Sequence, residues 1–206
     1  MNKLLPGILA MGVIVVASNI LVQYLLGDWL TWGAFTYPFA FLVTDLTNRF
    51  YGVSAARKVI TAGFVVGVVC SFVGTQIMGE FGPLVTLRVA LGSGTAFLAA
   101  QLIDVTIFDR LRVGNWWKAP LISSLVGSTL DTALFFSIAF SNALIFIEPT
   151  NDVSWANAIV PLLNIGPELP LWMSLAVADW GVKLLLALIA LVPFRAFVGK
   201  LSAKIA

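Results

Sequence analysis

Six stretches of this 206-residue chain run for about twenty residues or more with few charged side chains: roughly 4–26, 29–50, 58–79, 84–108, 119–147 and 170–193. About 20 apolar residues in helical conformation cover the hydrocarbon of a bilayer. Within it, each segment has to bond its own backbone polar groups, which a helix does. The pattern therefore predicts an all-α integral membrane protein, a single membrane domain over 1–206 with six transmembrane helices. The breaks carry turn residues: Gly27-Asp28, Gly52, Gly79 to Pro83, Gly114-Asn115, Pro149, and Pro167 to Pro170. Pro38 falls inside the second run and should kink it. The run after Lys3 is too long for a signal-peptide core and no small-residue cleavage site follows it, so it reads as a span.

Composition supports this reading. The chain is 60% hydrophobic and 11% charged, against about 25% charged residues in soluble domains. Basic residues fall on one side of the six runs: Lys3; Arg49, Arg57 and Lys58; Arg110, Arg112 and Lys118; Arg195, Lys200 and Lys204. The opposite loops hold acids only: Asp28, Glu80, Glu148, Asp152 and Glu168. By the positive-inside rule both termini are expected in the cytoplasm. The longest connection, an external loop over 148–169, contains Trp155 and is a place for a short interfacial helix.

Several function classes drop out. The chain has no histidine, which removes His-dependent triads and His-containing metal sites. Its one cysteine, Cys70, rules out a disulfide framework and reads as a small residue in an apolar run. No Gly-rich phosphate loop ending in Lys-Ser/Thr appears, and no metal or cofactor site is expected. The net charge of +2 is a topology signal, not a nucleic-acid footprint.

Charged residues inside spans are costly, about 2.5–3.5 kcal/mol at mid-helix on insertion scales, and so face protein or water. Asp45 precedes Arg49 by about 6 Å of helix and belongs near the cytoplasmic end of the second span. Asp104 is similarly placed in the fourth, three residues after Gln101. Asp131 is deep in the fifth, without a basic partner on its own helix, and Ser124 and Ser128 extend its polar face. Asp179 and Lys183 form an i, i+4 pair in the last span, acid before base, an arrangement that neutralises itself. Arg88 either snorkels outward or pairs with an acid. Along the fourth helix Ser93, Ala96, Gln101, Asp104 and Phe108 share roughly one side, and along the fifth so do Ser124, Ser128, Asp131 and Phe135. Gly92, Gly94, Gly127 and Ser128 allow close helix approach. Two polar stripes with aromatics beside them predict a compact ligand cavity between helices.

"TYPFAFLVTDLTNRFYGVSAARKVI" resembles the signature of the vitamin-uptake-like family of queuosine precursor transporters, through Thr36, Pro38, Thr44-Asp45, Asn48, Tyr51-Gly52 and Ala56-Arg57-Lys58. "RVALGSGTAFLAAQLIDVTIFDRLR" is similar to its next segment through Arg88, Ala96-Phe97, Gln101, Asp104 and Phe108. Ser124, Asp131 and Phe135, then Lys183 and Pro193, extend the likeness to about residues 17–195. Arg49 and Ala100 depart from the usual pattern.

The resemblance implies a six-helix fold like the substrate-binding subunits of energy-coupling-factor vitamin transporters, in the bacterial inner (plasma) membrane. It also implies import of a 7-deazaguanine, such as the 7-cyano or 7-aminomethyl base. Such a base presents adjacent N1–H and amine donors that one carboxylate accepts together, and flat faces that suit aromatics. On that footing Asp131 is the expected guanine-edge acceptor, with Gln101 or Asn48 as amide partner and Asp104, Asp45 and Ser128 in the same cavity. Phe97, Phe108, Phe135, Tyr37 and Trp32 are stacking candidates. Asp45, Asn48 and Arg57 line or brace the cytoplasmic end as gate or ligand contacts; Arg88, Asp179 and Lys183 complete the ion-pairing set.

Rival readings are a vitamin-binding subunit needing a separate ATP-driven module, and an intramembrane enzyme. For the enzyme, "DLTNRFYGVSAAR" faintly echoes a CDP-alcohol phosphotransferase, but the acids required downstream are missing from "KVITAGFVVGVVCSF". A Ser–Lys hydrolase would have to gather its residues from different spans. The expected partners are the deazaguanine and the lipid bilayer, with no nucleic acid; the sequence leaves oligomeric state open.

Overall fold

The computed structural model describes residues 3–80 and 82–205, with side chains described as far as residue 199. Its helices are α1 (Leu5–Leu21), α2 (Gly33–Thr36), α3 (Phe39–Tyr51), α4 (Val53–Gln76), α5 (Leu87–Leu111), α6 (Lys118–Phe140) and α7 (Leu171–Ile205). Three two-stranded antiparallel hairpins, β1–β2 (Leu25–Leu26 with Leu30–Thr31), β3–β4 (Met78–Gly79 with Gly82–Pro83) and β5–β6 (Ile159–Pro161 with Glu168–Pro170), sit in the connections.

Four helices, α4 to α7, are long and apolar enough to cross a bilayer unaided. The other two expected spans differ from the sequence reading. α1 has 17 residues, about 26 Å of rise. The second run is divided: Pro38 lacks the amide that would continue the ladder, so α2 stops at Thr36 and α3 starts at Phe39. Tyr37 and Pro38 keep helical dihedrals across the break, and the path bends instead of turning back.

The breaks also differ. Between α3 and α4 the connection is Gly52 alone, at φ 79° and ψ 176°. Positive φ is cheap for glycine, so α4 begins at once and carries Arg57 and Lys58 exposed on its first turns. The fifth span ends at Phe140, because Ser141 is extended and starts a 3-10 segment over Asn142–Ile147. In the 148–169 loop the only helical pieces are 3-10 turns at Trp155–Asn157 and Leu162–Asn164. There the Asp152 carboxylate accepts from the Ser154 amide at 2.8 Å, which holds it below the usual carboxylate range. α7 runs through Pro193 unbroken.

Packing is set by small residues, since lipid gives apolar helices no reason to associate. α5 and α6 lie antiparallel and closest together. Gly92, Ala96, Ala100, Asp104 and Phe108, four residues apart, form the buried stripe of α5. A Cβ on Gly127 of α6 would stand 2.8 Å from the Phe41 ring and 3.3 Å from the Ala100 carbonyl oxygen. On the other side of α5, Met11, Val15, Ala40, Ala56, Val59, Ile60, Phe97 and Val105 make the apolar core. The outer faces, such as Val65, Val68 and Phe72 on α4 and Leu185, Leu188 and Val192 on α7, are apolar and exposed, as lipid contact requires.

The two ends of the bundle differ in charge. Arg49 donates to the Arg112 carbonyl at 2.8 Å, and the Arg195 guanidinium lies 5.0 Å from the Trp116 ring. α3, the α5–α6 loop and the end of α7 therefore share one basic end. Lys200 and Lys204 lie beyond the described side chains, and the terminal residues 1–2 and 206 lie outside the described residues. At the far end Glu148 accepts from the Leu87 and Arg88 amides at 3.3 and 3.0 Å, capping the N-terminus of α5 where a negative charge is favoured.

Candidate functional site

Two buried polar clusters meet one narrow cleft between α3, α6 and α7. The deeper cluster centres on Lys183. Its ammonium lies 2.6 Å from Asp131 Oδ2 and 2.5 Å from Asp179 Oδ2, and donates to Thr132 Oγ1 at 3.0 Å. Thr132 donates onward to Asp179 Oδ2 at 2.9 Å. Tyr37, placed at the Pro38 break, donates its hydroxyl to Asp131 Oδ1 at 3.0 Å, and its ring centroid lies 5.6 Å from the ammonium. Both Asp131 oxygens are thus engaged by protein. The i, i+4 pair expected of Asp179 and Lys183 is present, but the lysine is shared with a second helix. Three donors on an ammonium match three oxygens, and two carboxylates around one cation leave a surplus negative charge.

The second cluster lies toward the basic end. Thr44 donates to Gln101 Oε1 at 2.6 Å, and Asn48 Nδ2 donates to the Val105 carbonyl at 3.1 Å. These bonds tie α3 to α5. They leave Gln101 Nε2, Asn48 Oδ1 and both Asp104 carboxyl oxygens buried without a donor or acceptor partner among the described residues. The Asp45 and Asp104 carboxyls are neighbours against one stretch of α6: Ser123 donates to Asp45 Oδ1 at 3.5 Å, and a Cβ on Gly127, one turn on, would stand 3.4 Å from the Asp104 Cβ. Thr44, Asn48, Gln101 and Asp104 are fully buried and Asp45 is 2% exposed.

The cleft runs between the clusters. Asp45 and Phe41 of α3, Ser124 and Ser128 of α6, and Lys183 and Phe194 of α7 line it. Phe194 packs edge-on against Phe108 at 6.0 Å and narrows the basic end. The free space is about 10 Å³, room for roughly one water. Nothing larger than a water fits between α3, α6 and α7 as they stand.

Other expected residues lie elsewhere. Arg57 is exposed on α4, in an open groove with Ser54, Lys58 and Thr61, and does not line the cleft. Arg88 is fully buried and neither snorkels nor pairs with an acid side chain: it donates to the Ile138 and Ser141 carbonyls at 2.9 and 2.6 Å. Those carbonyls lie at the C-terminal end of α6, where helix acceptors run out of amide partners, and Ser141 O also accepts from the Leu144 amide at 3.2 Å, so the cation ties one helix end to the next. Phe97 packs edge-on against Tyr37 at 6.1 Å, one residue removed from Asp131. Phe135 belongs to an aromatic group with Phe136 and Phe140 toward the acidic end. Trp32 is half exposed beside Phe35. Ser128 returns its hydroxyl to the Leu125 carbonyl at 3.2 Å. Sequence reasoning missed Thr132 and Ser123; adjacency to Asp131 and helical spacing from Gly127 were the available signals.

The family model described as "Putative vitamin uptake transporter" matches residues 31–198. The protein named "Queuosine precursor transporter" of Escherichia coli (strain K12) is 34% identical over 194 aligned positions, covering 87% of this chain and 79% of that protein. The "Probable queuosine precursor transporter" of Haemophilus influenzae is 43% identical over 122 positions, covering 53% of this chain and 52% of that protein. Its namesake in Bacillus subtilis is 31% identical over 136 positions, 56% of this chain and 58% of that protein. No solved structure matches this chain.

Proposed function

The chain belongs to the vitamin uptake transporter family, and we propose that it imports a queuosine precursor of the 7-deazaguanine class, the 7-cyano or 7-aminomethyl base, into the cytoplasm. It is a multi-pass membrane transporter and not an enzyme, which sets aside the phosphotransferase and Ser–Lys readings. In this reading α1, the α2–α3 path and α4 to α7 are six crossings of the bacterial inner membrane. On the same reading the fold is that of a vitamin-transporter binding subunit, with the basic end toward the cytoplasm.

One observation carries the reading: Lys183 is wedged between two carboxylates at the inner end of the cleft. A base entering there offers two adjacent N–H donors to Asp131. Lys183 gives up that carboxylate and stays neutralised by Asp179, four residues away on its own helix. The exchange costs less than stripping a buried carboxylate of its partner, because the ammonium is never left alone. Tyr37 holds Asp131 Oδ1 in place meanwhile. Ser128, Phe97 and the amides of Gln101 and Asn48 complete the environment, with Asp45 and Asp104 toward the exit.

The test is uptake of labelled 7-cyano-7-deazaguanine by cells unable to make it, with wild type beside Asp131→Asn. Wild type is expected to restore queuosine in tRNA. The variant keeps the side chain's shape but loses the charge that a bidentate donor pair prefers, and is expected to lose about ten-fold or more of uptake. Wild-type protein that reaches the membrane without restoring queuosine refutes the substrate.

A further inference from the structure

The Asp45–Asp104 pair is not needed to hold a base at Asp131, yet it is the most fully buried pair of acids in the molecule. Around the pair, α3 contributes Thr44 and Asn48, α5 contributes Gln101, α6 contributes Ser123 and Gly127, and α7 contributes Phe194 near Phe108. No lysine or arginine bonds either acid among the described residues. Lys183 lines the same cleft as Asp45 but is held by Asp131 and Asp179. Arg49, one turn beyond Asp45, is turned outward to the Arg112 carbonyl.

Two carboxylate oxygens are both acceptors, so carboxyl groups in hydrogen-bonding reach bond only through a proton. Two adjacent ionised carboxylates without a cation are strongly disfavoured. Among the described residues Asp104 has no bonded donor for either oxygen, and Gln101 Nε2 lacks an acceptor. The site is therefore complete in neither charge nor hydrogen bonds until an ion joins it. Space favours the smallest candidate. The residues are buried to 2% exposure or less, and the adjoining cleft holds about one water.

We propose that Asp45 and Asp104 share one proton, and that its uptake and release through the cleft drive solute import. The proton forms an O–H bond on one carboxyl and a hydrogen bond to the other, and leaves to water at the cytoplasmic end. Once it leaves, the Ser123 hydroxyl, 3.5 Å from Asp45 Oδ1, is a side-chain donor beside the remaining charge. This inference rests on the transport reading above, although the proton itself does not.

Two measurements separate the two claims. Infrared spectra of purified, lipid-reconstituted protein at neutral pH are expected to show a protonated carboxylic C=O band that shifts in heavy water. Asp45→Asn and Asp104→Asn should each remove it, and its absence from wild type overturns the shared proton. In proteoliposomes, an inward proton gradient is expected to drive accumulation of labelled 7-cyano-7-deazaguanine. One proton per neutral solute allows about ten-fold accumulation per pH unit, and either variant should abolish the response. Wild type that exchanges the base but ignores the pH gradient, or follows sodium instead, overturns the coupling and leaves the substrate standing. Wild type that exchanges no base overturns the substrate, and the infrared band still decides the proton. If Asp104→Asn is not recovered folded, Asp45→Asn and the wild-type spectrum carry the test.

Discussion

Lys183 and Asp131, 52 residues apart in the chain, meet at 2.6 Å between α7 and α6. Each is 4% exposed. The contact joins the two helices at a depth where neither charge has water to fall back on. Removing the lysine leaves Asp131 and Asp179 as neighbouring uncompensated acids, and breaking a buried pair costs about 3–5 kcal/mol. Lys183→Met should therefore lower the thermal unfolding temperature in detergent sharply. Adding Asp179→Asn should recover part of the loss while uptake stays absent.

Tyr37→Phe keeps the ring that packs on Phe97 and removes only the hydroxyl that holds Asp131 Oδ1. Leaving that buried oxygen without its donor costs about 1–3 kcal/mol. The expected result is a half-saturation concentration raised roughly ten-fold, measured in the same uptake assay, with protein level close to wild type.

Arg88 and Glu148 should separate structural from transport effects. Arg88→Gln loses two charge-assisted bonds to α6 carbonyls, each worth about 1.5–3 kcal/mol. Glu148→Gln weakens a helix cap worth about 1 kcal/mol. Thermal melts should rank the arginine variant well below the glutamate variant. The surviving fraction of each should bind solute with unchanged affinity.

Gly127→Ala places a methyl 2.8 Å from the Phe41 ring and 3.3 Å from the Ala100 carbonyl oxygen. The ring can yield but the backbone of α5 cannot, so a loss of about 1–3 kcal/mol is expected. Gly12→Ala, in a helix and with nothing within 4 Å, should instead gain up to about 1 kcal/mol. Parallel melts of the two variants check both signs.

The apolar runs made the helices legible, but the way they meet was not. Hydropathy cannot see that Gly52 alone turns the chain, because Arg57 and Lys58 look like loop residues wherever they are exposed. The depth of Asp131 could be read from its distance to the span ends. Its partner could not, since pairing with Lys183 depends on how α6 and α7 are rotated against each other. Arg88 misled for a related reason: its partners are backbone carbonyls, which no residue letter announces. The stripe through Gln101 and Asp104 was visible at helical spacing. That Thr44 occupies one end of the amide and leaves the other free followed only from the packing of α3.

α5 and α6 interlock through glycine, alanine and a capping arginine. Of the α7 span, only 6% is buried in the protein, against 44% for α5, and ions fasten its middle. The two attachments respond to different things. A steric lock is indifferent to protons and solutes, whereas an ionic fastening loosens when any charge in it is neutralised or shared. The bundle is thus divided into a part fastened by shape and a single helix fastened by charge, and the proposed solute would act on the second fastening through its own donors.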